Sequence, residues 1–468
     1  MPQPDSHSLK RDTLGTKDLV LLVLAAVAPM GIVVSLTTLS IALGTGAGTP
    51  GTYIVAALIF SVFAVGYLKM SQRITNAGAF YAYIAAGFGE RAGRMAAWLA
   101  VLTYNAITIG TFGSLSFFSS LVLKDLTGID IAWQWFGLLW FVATLVLGYF
   151  DVSASAKVLA VALLLEVISL FAFDFAVLWS KGFHGFSLSV FDPHIVLGSG
   201  AGLSLILGLG SFIGFEATVI YGEEARDARR SVSRATYIAI ALIAVFYLTT
   251  TWAMVSAVGV EQAKTAAAAD PSSYLFVINT QYMGALATQI MQVLVITSLF
   301  AGFLALHMST ARYHFSLARS GILPAWLGKT QVKHHSPFNG TVGQLGLLAL
   351  VTCAFVGAGQ HPYLQMGVAL FGMGVLGIVL LQALTSFAVL RYFRLNSHPE
   401  STWSTAVAPL LGGIAMLVAF VLMIDNYGVM TGSDLWWVNH LPLVFLLAPV
   451  LGLIGARTPR PQKLAQAL

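Results

Sequence analysis

Glu166, Glu216 and His307 are ionisable residues set inside long apolar runs, where a side chain needs either a partner or a task. An ionised carboxylate at the centre of a bilayer costs ~2.5–3.5 kcal/mol on insertion scales. Glu216 closes the stretch Gly208-Leu-Gly-Ser-Phe-Ile-Gly-Phe-Glu216 within a hydrophobic run over residues 195–221. It reads either as a group that binds a substrate ammonium or couples gating to occupancy, or as a carboxylate capping freed backbone N–H groups. Glu166 lies eleven residues into another run, ~16 Å deep at 1.5 Å per residue. There it is a candidate to take up and release a proton, or a helix-to-helix hydrogen bond. His307, beside Ser309 and Thr310, is a candidate for a proton path or a satisfied packing histidine. Lys157 reads as an inner-end lysine snorkelling to water.

The backbone near these groups has chemistry of its own. Gly208, Gly210 and Gly214 let a helix stop bonding to itself, and irregular backbone survives at membrane depth only where it is buried in protein or lines a polar cavity. Ala28-Pro-Met-Gly31 interrupts the run over residues 18–43 in the same way, because Pro29 lacks an amide donor and clashes with the preceding turn. N–H groups freed near Gly31, at the positive end of a half-helix, favour a carboxylate, and carbonyls near residues 210–214 favour an ammonium. Pro29, Met30, Gly31, Gly210, Phe212, Ile213, Gly214, Phe215 and Glu216 are therefore candidate substrate-binding residues. Tyr104 and Asn105 of the third span join them, since aromatic faces attract a cation. The alternatives are kinked packing helices and aromatics that face core or lipid.

Membrane-crossing helices must position these residues. The chain of 468 residues is 57% hydrophobic and 9% charged, with mean hydropathy +0.83, whereas soluble domains are nearer ~25% charged. Twelve spans are expected, at about 18–43, 51–71, 94–122, 132–150, 155–179, 195–221, 235–258, 283–311, 340–358, 363–390, 405–425 and 436–456. The two broken spans begin roughly 180 residues apart, each opening five hydrophobic segments, which is the pattern of an inverted-repeat transporter. All 24 lysines and arginines except Lys124, Lys181 and Lys264 fall on one face. The positive-inside rule makes that face, and both termini, cytoplasmic in a plasma (inner) membrane. The net charge of +5 is thus a topology signal and implies no nucleic-acid partner.

Other features narrow the class. Cys353 is the only cysteine, so no internal disulfide or cysteine metal cluster forms; no metal and no cofactor are expected. The first run follows Lys10, Arg11 and Lys17 as a signal peptide would, but at ~25 residues, with no small-residue cleavage site, it reads as a retained span. Gly44-Thr-Gly-Ala-Gly-Thr-Pro-Gly51 carries no lysine and reads as a tight outer turn rather than a phosphate cradle. The absence of a G-x-x-x-x-G-K-[ST] stretch argues against an ATP-driven pump. An intramembrane enzyme would want H-E-x-x-H, G-x-S-x-G or paired carboxylates within one span, and the sequence has none. A channel differs from a transporter in that its flux neither saturates nor runs uphill.

Four stretches carry a family resemblance. Arg73-Ile-Thr-Asn-Ala-Gly-Ala-Phe-Tyr-Ala-Tyr83 resembles the P-x-x-G-G-x-Y-x-Y segment of the amino acid–polyamine–organocation superfamily, with Thr75 and Ala79 as departures. Phe212-Ile-Gly-Phe-Glu216 is similar to its F-x-G-F-E. Glu223-Glu-Ala-Arg-Asp-Ala-Arg-Arg-Ser-Val-Ser-Arg-Ala235 resembles E-E-x-x-x-P-x-x-x-x-P-R-A, with Ala228 and Ser233 at the prolines. Arg312-Tyr-His-Phe-Ser-Leu-Ala-Arg-Ser-Gly-Ile-Leu-Pro324 resembles R-x-x-Y/F-A-x-x-R-x-G-x-L-P, with Ser316 for alanine.

The resemblance implies a five-plus-five inverted repeat, substrate held between broken helices 1 and 6, and two peripheral helices. On this chain that places a polar tail at 1–17, a core at 18–390 with repeats about 18–179 and 195–390, peripheral helices at 405–456 and a tail at 457–468. The Ala28-Pro29-Met30 arrangement looks more like the putrescine-importer branch than the Gly-Ser/Ala-Gly of many amino acid transporters. Amino acid uptake with a proton as coupling ion is expected, with polyamine import or amino acid exchange as the alternatives. Several proton-coupled relatives have a lysine in this part of the fifth helix, where this sequence offers the carboxylate of Glu166.

Overall fold

Proline, glycine and one left-handed alanine decide where the first apolar run stops being a single helix. In a computed structural model, which describes residues 15–74, 80–149, 156–220, 225–331 and 336–454, helix α1 (Thr16–Val27) ends at Ala28. Ala28 has φ 51° and ψ 66°, a conformation that costs an L-residue roughly 1–2 kcal/mol. Pro29 then opens α2 (Pro29–Leu43), where its missing amide removes no helical bond. A wider π turn runs over Val33–Thr37 inside α2. The chain continues through α3 (Thr49–Ser71), α4 (Phe80–Phe88), α5 (Glu90–Thr127), α6 (Trp133–Tyr149) and α7 (Ala156–Lys181).

The sixth run starts with turns, so its helix begins later than the apolar stretch. Helix α8 (Ala201–Gly210) gives way to irregular backbone over Ser211–Glu216 before the short α9 (Ala217–Ile220). Then come α10 (Ala228–Val258), α11 (Ala263–Ala269), α12 (Tyr274–Met283), α13 (Ala285–Arg319) and α14 (Phe338–Gly357). The last three are α15 (Pro362–Leu395), α16 (Trp403–Thr431) and α17 (Leu441–Ile454). The third run, read as 94–122, is longer than its apolar part because Glu90 and Thr127 still belong to α5.

Eight helices among the described residues are long and apolar enough to cross a membrane. Four shorter apolar helices, α2, α6, α8 and α17, fall where the sequence places further spans. Leu138, Leu139, Val142 and Val146 of α6, with Leu410, Leu411, Ile414 and Val418 of α16, are exposed and suit a lipid-facing surface. Helices α5, α13 and α15 pack through the middle. Their backbones come close because of small residues: a Cβ on Gly110 would lie 2.5 Å from the Phe371 amide nitrogen, and one on Gly374 would lie 2.0 Å from Ile107. Outside the described residues lie 1–14 of the leading tail, 75–79 of the aromatic segment, Glu223 and Glu224, Lys333 and the trailing tail 455–468. The side chain of Lys157 is likewise outside them.

Candidate functional site

The first break exposes the amino end of α2, whose leading amides have no helical acceptor. The Met30 amide faces the carboxylate of Glu166 on α7. Gly31 donates to Ser298 Oγ on α13 at 3.1 Å, and the Ser298 hydroxyl lies beside Glu166. A carboxylate thus sits at the positive end of the half-helix, where the peptide dipoles favour it. Glu166 is 2% exposed, and its Oε2 has no partner among the described residues.

The second break is closed from within. Gly214, at φ 115°, donates its N–H to Glu216 Oε2 at 3.0 Å, while Tyr104 on α5 donates its hydroxyl to Glu216 Oε1 at 3.3 Å. Glu216 therefore caps backbone that left the helix and ties α5 to it. Phe212 and Phe215 turn toward α3, with Phe60 5.1 and 5.0 Å from them between ring centroids.

Between the two breaks lies a cavity of about 40 Å3, room for about three water-sized spheres at ~10–15 Å3 each. Helix α2 contributes Ile32, Ser35 and Leu36 to its wall, α8 and the second break Gly210 and Ile213, and α13 Leu299 and Leu306. Val368 and Phe371 of α15 and Thr111 and Ser114 of α5 complete the other side. Among the described residues no ionisable side chain borders it, and the only side-chain polar groups are the three hydroxyls. Those hydroxyls donate to their own helices: Ser35 to the Gly31 carbonyl at 2.6 Å, Thr111 to Ile107 and Ser114 to Gly110.

Of the residues singled out from sequence, Gly210 and Ile213 border the cavity, with Ala28 beside the first break. Gly31 lies behind Leu299, whose Cδ2 would be 2.7 Å from an added Cβ. Asn105 donates to the Val101 carbonyl and meets His314 Nε2 at 2.9 Å. The ring of Tyr104 leans on Tyr313. His307 pairs through Nδ1 with Gln344 Oε1 of α14, on a different side of α13 from the cavity-lining Leu306. The sequence does not single out Thr111, Ser114, Leu299 or Phe371. The hydroxyls Thr108, Thr111 and Ser114, spaced by three along one face of α5, are the signal that marks this wall.

Polar ties close both ends of the helices around the cavity. At the cation-poor face Ser204 Oγ on α8 accepts from the Thr45 amide at 2.9 Å and from Ser40 Oγ at 3.0 Å. Lys264 donates to the Gly44 carbonyl at 2.8 Å. At the cation-rich face Glu400 pairs with Lys69 at 2.6 Å and Arg73 at 3.8 Å. The hydrogen bond from Lys69 holds the Glu400 carboxyl below its ordinary range.

Comparison with known proteins gives a consistent result. A family model described as amino acid permease matches residues 14–448. The branched-chain amino acid permease BcaP of Lactococcus lactis subsp. cremoris is 25% identical over 408 residues, covering 80% of this chain and 82% of that protein. The branched-chain amino acid permease BcaP of Bacillus subtilis is 26% identical over 71% of this chain and 72% of its own length. Among solved structures, a manganese transporter of Eremococcus coleocola superposes with a TM-score of 0.57 at 11% identity, covering 99% of both chains. At that identity it speaks for the fold alone.

Proposed function

The chain belongs to the amino acid permease family, and on that premise we propose that it is a secondary active importer of zwitterionic amino acids with apolar side chains, coupled to protons through Glu166. It is a multi-pass membrane transporter for amino acids and not an enzyme. The observation that carries the substrate reading is the cavity wall: among the described residues it has aliphatic and aromatic groups, three hydroxyls and no ionisable side chain. A diamine entering there would bury two ammonium groups with no carboxylate on the wall, and an unpaired buried charge is heavily disfavoured. A zwitterion brings its own opposite charges, and the backbone at the two breaks supplies donors and acceptors. The branched-chain relatives support the same side-chain class.

Proton coupling follows from electrostatics at the amino end of α2. An ionised Glu166 already faces the Met30 amide and the Ser298 hydroxyl. A substrate carboxylate drawn to the same dipole end meets like charge, worth about 4 kcal/mol for unit charges 4 Å apart at an effective dielectric constant of 20. Protonation of Glu166 removes that repulsion, so proton and substrate bind together. Alternating access would then move the loaded site between faces by rearranging α1, α2, α8 and α9, within twelve spans arranged as a five-plus-five repeat with both termini cytoplasmic. Tyr104, Asn105, Phe212, Phe215 and Glu216 belong in this reading to the frame that holds the breaks, and His307 to the packing of α13 on α14.

The test is uptake by proteoliposomes offered leucine, isoleucine, valine, alanine, lysine and putrescine under an inward proton gradient. Saturable, concentrative uptake of the apolar amino acids is expected. Uptake of putrescine with no α-amino acid would refute the reading.

A further inference from the structure

Three polar atoms without partners among the described residues lie along one helix interface: Glu166 Oε2 and Asp174 Oδ1 on α7, and the Tyr247 hydroxyl on α10. Buried polar groups are ordinarily paired, so three unpaired ones in sequence require an account. Asp174 stands eight residues beyond Glu166, ~12 Å further along α7 and ~10 Å from its end at Lys181, at 1.5 Å per residue. That end is the cation-poor one. Asp174 lies at the margin of the buried face, and Thr250 on α10 donates its hydroxyl to Oδ2 at 3.0 Å. Tyr247 lies one turn before Thr250 on the same helix. Its ring is fully buried, stacked on Tyr53 with centroids 5.2 Å apart, and close enough to Glu166 for the two to interact electrostatically.

We propose that Asp174 and Tyr247 form a proton relay that loads Glu166 from the outer, cation-poor face. This rests on the reading of Glu166 as the coupling group. A proton from outer water binds Asp174. It passes inward by way of the Tyr247 hydroxyl, which takes up one proton as it gives up its own, with water bridging each step because that hydroxyl has no hydrogen-bond partner among the described residues, and ends on Glu166. Asp174 returns to carboxylate, Glu166 becomes the neutral acid, and one proton has moved inward with Tyr247 unchanged.

Tyr274 and Tyr282 of α12 donate to the Met254 and Ala257 carbonyls of α10. Helices α2 and α13 present the Met30 amide and the Ser298 hydroxyl. Lys17 and Asp18 of α1 lie at the opposite end, and His184 lies in the turn beyond Lys181. On α7 itself, Lys181 is the remaining ionisable side chain beyond Asp174 among the described residues.

The experiment measures proton-driven leucine uptake against external pH for wild type, Asp174→Asn and Asp174→Glu in oriented proteoliposomes, together with leucine exchange at zero gradient. Asparagine still accepts from Thr250, so a structural hydrogen bond survives while proton carriage is lost. Asp174→Asn is expected to slow uptake about tenfold or more at alkaline external pH, as loss of a positioned proton-transfer group does. At acidic external pH, where protons no longer limit, it recovers toward wild type. Asp174→Glu retains the wild-type profile. A wild-type profile for Asp174→Asn overturns the relay, as does a defect equal in both variants or independent of pH. If wild-type accumulation ignores the proton gradient, coupling at Glu166 falls and the relay falls with it. If wild type is proton-driven and Asp174→Asn matches it, the relay alone falls.

Discussion

Gly31→Ala adds one methyl where the structure has no space for it. The new Cβ would lie 2.7 Å from Leu299 Cδ2 and 2.9 Å from Leu299 Cγ. Both atoms belong to a side chain that borders the cavity, so relief comes from pushing Leu299 into its about 40 Å3. Overpacking of this kind costs about 1–3 kcal/mol. Expressed in substrate binding, that is about a 5- to 150-fold loss of affinity. The assay is leucine affinity by thermal shift and KM by uptake, for wild type, Gly31→Ala, Leu299→Ala and the double variant. Leu299→Ala removes both clashing atoms, so the double variant should be better than the two single losses predict, by at least about 1 kcal/mol of coupling. Wild-type affinity in Gly31→Ala, or strictly additive losses, would refute the placement of Leu299 between the first break and the substrate.

Two further outcomes follow from local geometry. Gly214→Ala forces a side chain into backbone at φ 115°, a strain of roughly 1–2 kcal/mol; uptake should fall while the amount of protein in the membrane, read by immunoblot, stays near wild type. Glu400→Gln removes the charged partner of Lys69. Because pairing depresses the Glu400 carboxyl in the folded state, its stabilisation is present above the unfolded value of about 4.3 and is lost as pH falls through the folded one. The Tm gap between wild type and variant should therefore be present at neutral pH, reflect about 0.2–1 kcal/mol, and close in acid; a gap that persists in acid contradicts the pairing.

The two breaks are legible because proline and glycine act on the backbone directly, before any tertiary contact forms. Glu166 stands out for the same kind of reason, as a carboxylate in an apolar run. Its partners do not: the Met30 amide and Ser298 lie far from it in sequence and meet it only when α2, α7 and α13 pack. Aromatic residues at the second break read as a pocket wall, yet Phe212 and Phe215 pack on Phe60, because an aromatic in a span has the same signature facing a ligand or a neighbouring helix. The wall itself is made of Thr111, Leu299 and Phe371, ordinary membrane-span residues that only the helix arrangement brings together. Asp174 sits near the end of α7, where a carboxylate is unremarkable by position and only its link to Thr250 marks it.

The central claim is that Glu166 exchanges a proton as the substrate site fills and empties. Glutamine in its place keeps an acceptor for the Met30 amide but holds the neutral form permanently. Leucine accumulation in proteoliposomes with imposed proton or sodium gradients, wild type against Glu166→Gln, tests this most directly. Wild type should concentrate leucine with an inward proton gradient and no sodium, and Glu166→Gln should bind leucine but fail to concentrate it. Strict sodium dependence of the wild type, or undiminished proton-driven accumulation by Glu166→Gln, would contradict the account.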